Sequence, residues 1–119
     1  MHHFDFEDDV VAITGGAAGI GRETALQFAQ HGAAVVVADV DDESGEAVAE
    51  EITSDGGEAV YVHTDVSEMA DVQHMVDTAV EEFGRLDYAV NNAGIGGRQD
   101  AAGELAESDW EQVVDVNLN

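Results

Sequence analysis

Residues 14–21 read TGGAAGIG, and this glycine-rich stretch decides the fold. It follows a short β-branched run, VVAIT at residues 10–14, and it leads into residues 20–31, whose apolar residues have the spacing of an amphipathic helix. Glycines at such a junction let the backbone turn tightly and let the helix pack closely on the strand. The stretch therefore predicts a strand, a tight turn and a helix, which is the opening unit of a parallel α/β sheet.

Strand and helix segments continue to alternate along the rest of the chain. The predicted strands cover residues 10–14, 34–38, 59–63 and 88–90, and the predicted helices cover residues 20–31, 43–53, 67–83 and 108–119. Gly32 and Gly84 are expected to end the first and third helices, since glycine tolerates a positive φ. Because this order requires parallel strands with right-handed crossovers, we predict one doubly wound α/β domain over residues 1–119.

Apolar spacing also predicts which side of each helix faces the core. In the second helix these residues are Ala47, Val48 and Ile52, and in the third they are Met69, Val72, Val76, Ala79, Val80 and Phe83. Ser67 is predicted to cap the third helix and Ser108 the last one.

The charge of the chain excludes several classes of function. It has 27 acidic residues against 3 arginines and no lysine, for a formal net charge of −24. Binding to nucleic acid or to an anionic membrane surface is excluded, because both require clustered basic residues. The chain has no cysteine, and its five histidines lack the spacing of metal ligands, so no metal site is predicted. Without a long apolar run or a signal peptide, the protein is expected to be soluble and cytoplasmic.

The distribution of the acidic residues distinguishes this chain from a disordered one. They alternate with apolar residues instead of forming long blocks, which indicates a folded domain. Such a domain repels itself at low ionic strength, whereas at molar salt the Debye length falls to about 3 Å and the repulsion is screened. The composition is typical of a cytoplasmic protein from an extreme halophile; an acidic protein from a mesophile is the alternative.

The glycine-rich turn and one acid after the second strand point to a ligand site. The turn lets a pyrophosphate approach the backbone, and the following helix presents N–H groups and its positive dipole end to the phosphates. Asp39 ends an apolar strand 18 residues beyond Gly21, where a carboxylate can accept hydrogen bonds from the ribose hydroxyls of NAD. The alternatives are a glycine-rich turn without a ligand and a surface acid in an acid-rich chain.

The spacing T-G-x-x-x-G-x-G at residues 14–21 resembles that of the short-chain dehydrogenase/reductase family. Further matches follow in order and extend the resemblance over essentially the whole chain: Asp65-Val66, Asn91-Asn92-Ala93-Gly94, and Asn117 within WEQVVDVNL. The resemblance implies a Rossmann-type fold with strand order 3-2-1-4. It also implies an NAD-dependent oxidoreductase that transfers a hydride between the nicotinamide and a small alcohol or carbonyl substrate.

The resemblance assigns most of the matching residues to cofactor binding. The turn would contact the cofactor through Gly15, Ala18, Gly19, Ile20 and Gly21. Asp65 would accept a hydrogen bond from the adenine amino group, and Val66 would pack beside the ring. The segment Asn91-Asn92-Ala93-Gly94 would line the adenosine ribose and stabilise the central sheet. We expect NAD to be preferred to NADP, because Asp39 would repel the 2′-phosphate; Arg22, beside Gly21, is the one nearby cation that could reverse this preference.

Asn117 is the only match to the family's catalytic Asn-Ser-Tyr-Lys tetrad, in which the asparagine holds a water in the proton relay; the alternative is a polar residue on a helix face. The chain has no lysine, and Tyr61 and Tyr88 lie on predicted strands, so neither matches the tyrosine of the tetrad.

Two hypotheses about function follow from this partial match. The chain is the N-terminal half of an NAD-dependent oxidoreductase, or it is a catalytically inactive, free-standing half-domain that binds nucleotide or oligomerises.

Two surfaces are expected to cause self-association. The fourth strand would be an open edge of the sheet, and the last helix would expose the apolar residues Trp110, Val113, Val114 and Leu118. By the resemblance, this helix also contributes to the main subunit interface of the family. We therefore expect a homo-oligomer at molar salt.

Overall fold

The computed structural model describes residues 8–92 and the backbone of residues 113–118. Its elements are β1 Val10–Thr14, α1 Gly19–Gln30, β2 Ala34–Asp39, α2 Asp42–Ser54, β3 Glu58–His63, α3 Met69–Phe83, β4 Leu86–Asn91 and β5 Val113–Leu118. The predicted alternation is confirmed as far as β4, with element ends that differ from the prediction by no more than two residues. Gly32 and Gly84 end α1 and α3 with φ angles of 97° and 87°, as the sequence predicted.

The sheet has the order β3-β2-β1-β4-β5, and its first four strands are parallel. This confirms the Rossmann-type order 3-2-1-4 and adds a fifth strand. All five residues of β1 are buried, and so are all residues of β2 except Asp39. Strands that are apolar except for their last residue suit a sheet that is covered on both faces. Alternate residues of β1 and β2 pack against α1 and α2 on one face and against α3 on the other.

The inward face of α2 differs from the prediction. Ala47 is exposed, whereas Gly45 and Ala49 are buried together with Val48 and Ile52. These four buried residues have the i, i+3, i+4, i+7 spacing of a single helical stripe, and Ala47 lies outside it. The buried stripe begins at Gly45 because α2 packs against the ring of Tyr61 at this position. The prediction considered only apolar side chains, so it did not include a glycine.

The predicted contacts of α3 are also partly wrong. Met75 and Ala79 are buried, while Met69 is 79% exposed and Val80 is 39% exposed. Ser67 does not cap the helix: the N-cap is Glu68, which makes no side-chain cap hydrogen bond. The Ser67 hydroxyl instead donates to Asp65, because Asp65 lies two residues earlier in a tight turn.

Residues 113–118 form a strand where the sequence predicted a helix over residues 108–119. β5 is antiparallel to β4, with Val113 opposite Val90 and Leu118 opposite Leu86. The segment VVDVNL contains three valines, which favour a strand, and pairing satisfies backbone groups that β4 would leave open at the sheet edge. The predicted edge of β4 is therefore covered. The predicted helix residues Ser108 and Trp110 lie outside the described residues.

A buried carboxylate joins β4 to the start of β1. The side chain of Asp87 is 5% exposed, and Oδ2 accepts a 2.9 Å hydrogen bond from the backbone N–H of Val10. Arg85 donates to both oxygens of the same carboxylate, with its shortest contact at 2.8 Å. These hydrogen bonds raise the pKa of Arg85 further above its ordinary value. Sequence reasoning did not single out Asp87, because an acid inside a strand is indistinguishable by pattern from the many surface acids.

Candidate functional site

The glycine-rich turn between β1 and α1 adopts a conformation that other residues would not tolerate. Gly15 and Gly19 have φ angles of 67° and 58°, in the left-handed region. A Cβ on Gly21 would lie 1.8 Å from the carbonyl oxygen of Gly15. Only glycine therefore lets the first turn of α1 contact the start of the loop.

The N-terminus of α1 is accessible to a ligand. Its N-cap residue, Ala18, makes no side-chain cap hydrogen bond. Ala18, Gly19 and Ile20 are all exposed, and Ile20 is 62% exposed. Because the first N–H groups of an α-helix have no partner within the helix, they can donate to a phosphate here.

Asp39 holds the glycine-rich turn against the end of β2. Its Oδ2 accepts a 3.0 Å hydrogen bond from the backbone N–H of Ala17. Its Oδ1 accepts bonds of 2.7 Å and 3.2 Å from the backbone N–H groups of Val40 and Asp41. The carboxylate predicted to recognise a ribose therefore lies beside the turn predicted to bind phosphate.

A cleft of about 170 Å³ opens at the carboxyl ends of β1, β2 and β3. It brings together residues that are distant in the sequence: Gly15, Asp39, Val40, Thr64, Asp65 and Val66. Four of these, Gly15, Asp39, Asp65 and Val66, were predicted to bind the cofactor. Thr64 was missed; it is 3% exposed, and its N–H donates to the carbonyl oxygen of Asp39 at 2.9 Å.

Asp65 is held as a charged acceptor in the turn after β3. Its Oδ1 accepts a 2.7 Å hydrogen bond from the Ser67 hydroxyl and a 3.0 Å bond from the Ser67 N–H. These bonds lower the pKa of Asp65. The backbone N–H of Asp65 donates to Asp71 of α3 at 3.0 Å, which fixes the turn against the helix.

Thr14 connects the predicted asparagines of β4 to the glycine-rich turn. Its hydroxyl donates to Oδ1 of Asn91 at 2.8 Å and accepts from the N–H of Asn92 at 3.1 Å. Within residues 8–92, the buried Nδ2 atom of Asn92 has no hydrogen-bond partner. The predicted residues Ala93 and Gly94 lie outside the described residues. Asn117 lies on β5, and its side chain is outside the described part as well.

A second polar network supports the cleft, and sequence reasoning missed it. The Tyr61 hydroxyl lies 2.7 Å from the carbonyl oxygen of Asp39 and 2.6 Å from Oδ1 of Asp42, and its single proton is shared between these two acceptors. Nδ1 of His63 lies 2.7 Å from the same Asp42 oxygen. A Cβ on Gly45 would lie 2.1 Å from the Tyr61 ring, so glycine lets α2 contact that ring. The available signal was the alternation of β3, which places Tyr61 and His63 on one face of the sheet.

The network shifts the ionisation of its three members. Burial, followed by the hydrogen bond to Asp42, raises the pKa of Tyr61. The hydrogen bonds from Tyr61 and His63 lower the pKa of Asp42. The hydrogen bond to Asp42 raises the pKa of His63 from its ordinary value of 6.5.

Arg22 pairs with an acid on the neighbouring helix. Its guanidinium donates to both carboxylate oxygens of Glu51, at 2.8 Å and 3.0 Å, and both side chains are 42% exposed. The positive charge of Arg22, which lies close to the glycine-rich turn, is therefore paired with the negative charge of Glu51.

The described residues give no indication of a metal site or a membrane span. Within them, no group of three or more histidine, cysteine, aspartate or glutamate side chains is arranged to hold a metal ion. In the same part of the chain, no helix combines the length and apolar character needed to cross a bilayer.

Known proteins resemble this chain along nearly its whole length. The sequence model of the short chain dehydrogenase family matches residues 9–119. Tropinone reductase-like 1 from Erythroxylum coca is 45% identical over 119 residues, which cover 98% of this chain and 43% of that protein. Cyclohexanol dehydrogenase from Acinetobacter sp. (strain SE19) is 43% identical over 114 residues, covering 96% of this chain and 45% of that protein.

A solved structure has a similar fold over about three quarters of this chain. The crystal structure of hydroxysteroid dehydrogenase from Escherichia coli matches with a TM-score of 0.72 and 34% identity, over 74% of this chain and 37% of that one. The chain spans less than half the length of these relatives. The family match over residues 9–119 and the shared fold show that the chain belongs to the short-chain dehydrogenase/reductase family.

Proposed function

We propose that this chain binds NAD and forms the cofactor-binding part of an oxidoreductase that interconverts an alcohol and a carbonyl compound. The observation that supports this most directly is the position of the glycine-rich turn, Asp39 and the 170 Å³ cleft at one edge of the sheet. Ligands of open α/β sheets bind at the carboxyl ends of the strands, where this cleft lies. When bound, the nicotinamide accepts or donates the hydride.

The residues of the cleft fit the adenosine half of a dinucleotide. Each carboxylate oxygen accepts up to about two hydrogen bonds. Oδ1 of Asp39 already accepts two and Oδ2 accepts one, so Oδ2 can accept a further hydrogen bond from a ribose hydroxyl. Val40 and Val66 are 57% and 40% exposed and offer apolar surface to the adenine ring. The pyrophosphate would lie at the N-terminus of α1, where a backbone without Cβ atoms at Gly15 and Gly19 allows close approach.

Substrate binding and proton transfer are proposed to depend on residues beyond these 119. We propose that Asn117 holds a water in the proton relay, and that serine, tyrosine and lysine come from a C-terminal half. The relative named cyclohexanol dehydrogenase is consistent with an alcohol substrate. The second candidate is a half-domain that binds nucleotide without turnover; these 119 residues contain no lysine, so they do not by themselves supply the family's catalytic tetrad.

Activity measurements distinguish these two candidates. The chain alone and the chain joined to its downstream coding region would each be assayed for NAD reduction with cyclohexanol and other secondary alcohols. Turnover that requires the downstream region supports the oxidoreductase. Dinucleotide binding without turnover in both forms supports the half-domain.

We predict that NAD binds more tightly than NADP by about tenfold, because the 2′-phosphate would face the Asp39 carboxylate at short range. Replacement of Asp39 by alanine should reduce this preference to about twofold. The control is Glu43→Ala, which removes one exposed acid from α2 and should leave the preference unchanged. Titration calorimetry with both cofactors measures the ratio, and tighter binding of NADP by the unmodified chain would contradict the prediction.

We propose further that the protein works as a homo-oligomer in a salt-rich cytoplasm, without nucleic-acid or membrane partners. The composition, with 27 acidic residues and 3 basic ones, supports the salt-rich setting and the absence of polyanionic partners. Members of the family bind small-molecule substrates and commonly oligomerise. Both surfaces from which self-association was expected differ from the prediction. β5 pairs with the edge of β4, and Val113, Val114 and Leu118 lie on that strand and not on a helix.

Transfer from 2 M to about 0.05 M KCl should lower the thermal midpoint by roughly 10 °C, which corresponds to about 2 kcal/mol for a domain of this size. The reason is that screening of the repulsion among 27 acidic residues is lost. Circular dichroism during heating measures the midpoint. Trimethylamine N-oxide at low salt is the control, because it stabilises proteins without screening charge. A midpoint that does not depend on KCl would contradict the halophilic interpretation.

A further inference from the structure

We propose that His63 makes dinucleotide affinity and the preference for NAD over NADP depend on pH, acting on the Asp39 end of β2 through Asp42 and Tyr61. This inference rests on the proposed function, since it concerns the same cleft. No residue of this network was among those expected to bind the cofactor.

The first part of the argument is geometric. Asp39 and His63 are paired in the register of β2 and β3, so their side chains lie on the same face of the sheet. Asp42 lies between them at the start of α2 and bonds to both His63 and Tyr61. The Tyr61 hydroxyl shares its proton between Asp42 and the carbonyl oxygen of Asp39, which links the network to the residue proposed to bind the ribose.

Gly45 makes this linkage possible. A Cβ at position 45 would lie 2.1 Å from Cε1 and 2.3 Å from Cδ1 of Tyr61, so any larger residue would push the ring away. The Tyr61 hydroxyl could then not keep both of its acceptors. The close approach of α2 to β3 therefore sets the position of Tyr61 at the end of β2.

The second part of the argument concerns charge. His63 is subject to the negative charges of Asp42 on α2, Asp71 on α3 and Asp65 in the turn after β3. Tyr61 is subject to the negative charges of Asp42, Asp39 and Asp41. A protonated His63 thus adds one positive charge among these carboxylates, two of which, Asp39 and Asp65, line the cleft proposed to hold the adenosine.

The direction of the pH effect follows from this arrangement. The hydrogen bond to Asp42 and the charges of the neighbouring carboxylates raise the pKa of His63 above 6.5. The imidazole is therefore cationic below this raised pKa and becomes neutral as the pH rises through it. Deprotonation makes the site more negative by one charge. An anionic dinucleotide then binds more weakly, and NADP loses more affinity than NAD because its 2′-phosphate adds charge close to Asp39.

The test is the affinity of the 119-residue chain for NAD and NADP from pH 5.5 to 9 at constant ionic strength, measured by titration calorimetry. Across the His63 transition we expect affinity to fall about threefold for NAD and about tenfold for NADP, from Coulomb interactions in a hydrated site. The variant His63→Asn keeps a hydrogen-bond donor near the position of Nδ1 but does not titrate. Its affinities should lack the transition.

Two controls separate this effect from other causes. A phosphate monoester titrates near pH 6, so the 2′-phosphate contributes its own pH dependence, which persists in His63→Asn and can be subtracted. His74→Asn removes an exposed histidine of α3 outside the network and should retain the full transition of the unmodified chain. The side chains of His63 and Asp42 are 53% and 63% exposed, so the midpoint of thermal unfolding should hardly change in His63→Asn.

The outcomes are distinct. A transition that is present in the unmodified chain and in His74→Asn but absent from His63→Asn supports the inference. Binding with the same pH profile in all three proteins overturns it and leaves the proposed function intact. Absence of binding by either dinucleotide at every pH overturns the proposed function and this inference together.

Discussion

Replacement of Gly21 by alanine should lower the free energy of unfolding by about 3 kcal/mol and weaken NAD binding more than about tenfold. The added Cβ would lie 1.8 Å from the carbonyl oxygen and 2.7 Å from the carbonyl carbon of Gly15. Both are backbone atoms, so the overlap can be relieved only by moving α1 away from the glycine-rich turn. That movement would disturb the packing of α1 and the phosphate-binding end of the helix at once.

The matched control for this change is Gly56→Ala, in the turn between α2 and β3. Gly56 has a φ of 94°, but a Cβ there would meet no atom within 4 Å. Backbone strain alone should therefore cost about 1 kcal/mol and leave NAD binding unchanged. Urea unfolding at molar KCl and calorimetry measure the two effects. Equal destabilisation by the two substitutions would show that the contact with Gly15 is unimportant.

Replacement of Asp87 by alanine should lower the free energy of unfolding by about 2–4 kcal/mol. The substitution removes the acceptor for the N–H of Val10, which is 3% exposed, and the anionic partner of Arg85. A buried N–H without a partner is costly, whereas the loss at Arg85 is smaller because its side chain is 39% exposed and can be hydrated.

Two further variants divide this effect into its parts. Asp87→Asn retains an oxygen acceptor for Val10 and removes the negative charge, so it should cost less than the alanine variant. Asp55→Ala removes an exposed acid after α2 and should change stability by less than about 0.5 kcal/mol. Urea unfolding at molar KCl measures all three. A loss at Asp87→Ala no larger than that at Asp55→Ala would contradict the proposed role of the buried carboxylate.

The helices and strands as far as β4 were predictable because their signals are local. Each signal depends on a few neighbouring residues: the apolar or β-branched residues 10–14, the glycine-rich turn, and the helical period at 20–31. The observed ends of the elements agree with the predicted ends to within two residues. The same holds for Gly32 and Gly84, because a positive φ is a property of one residue. Four of the predicted cofactor residues meet in one cleft because parallel strands bring their carboxyl ends to a common edge.

Contacts between distant segments were not predictable in this way. The carboxylate of Asp87 was one acid among 27 until the strands placed it next to the N–H of Val10. Tyr61 and His63 read as ordinary residues of a strand, and only the packing of α2 through Gly45 brings Asp42 within reach of both. Such partners depend on register and helix placement, which no local pattern contains.

Residues 108–119 show most clearly the difference between local sequence signals and contacts between distant segments. Its period suggested a helix over residues 108–119, yet residues 113–118 pair with β4 as an antiparallel strand. The three valines favour a strand, whereas the apolar spacing fits a helix, so the two local signals conflict and neither decides the structure. The sequence alone was enough for the order of elements as far as β4, the glycine-rich turn and the family. The tertiary structure decided β5, the Asp87 contact and the network behind Asp39, because unpaired backbone groups and buried charges find their partners only when the sheet assembles.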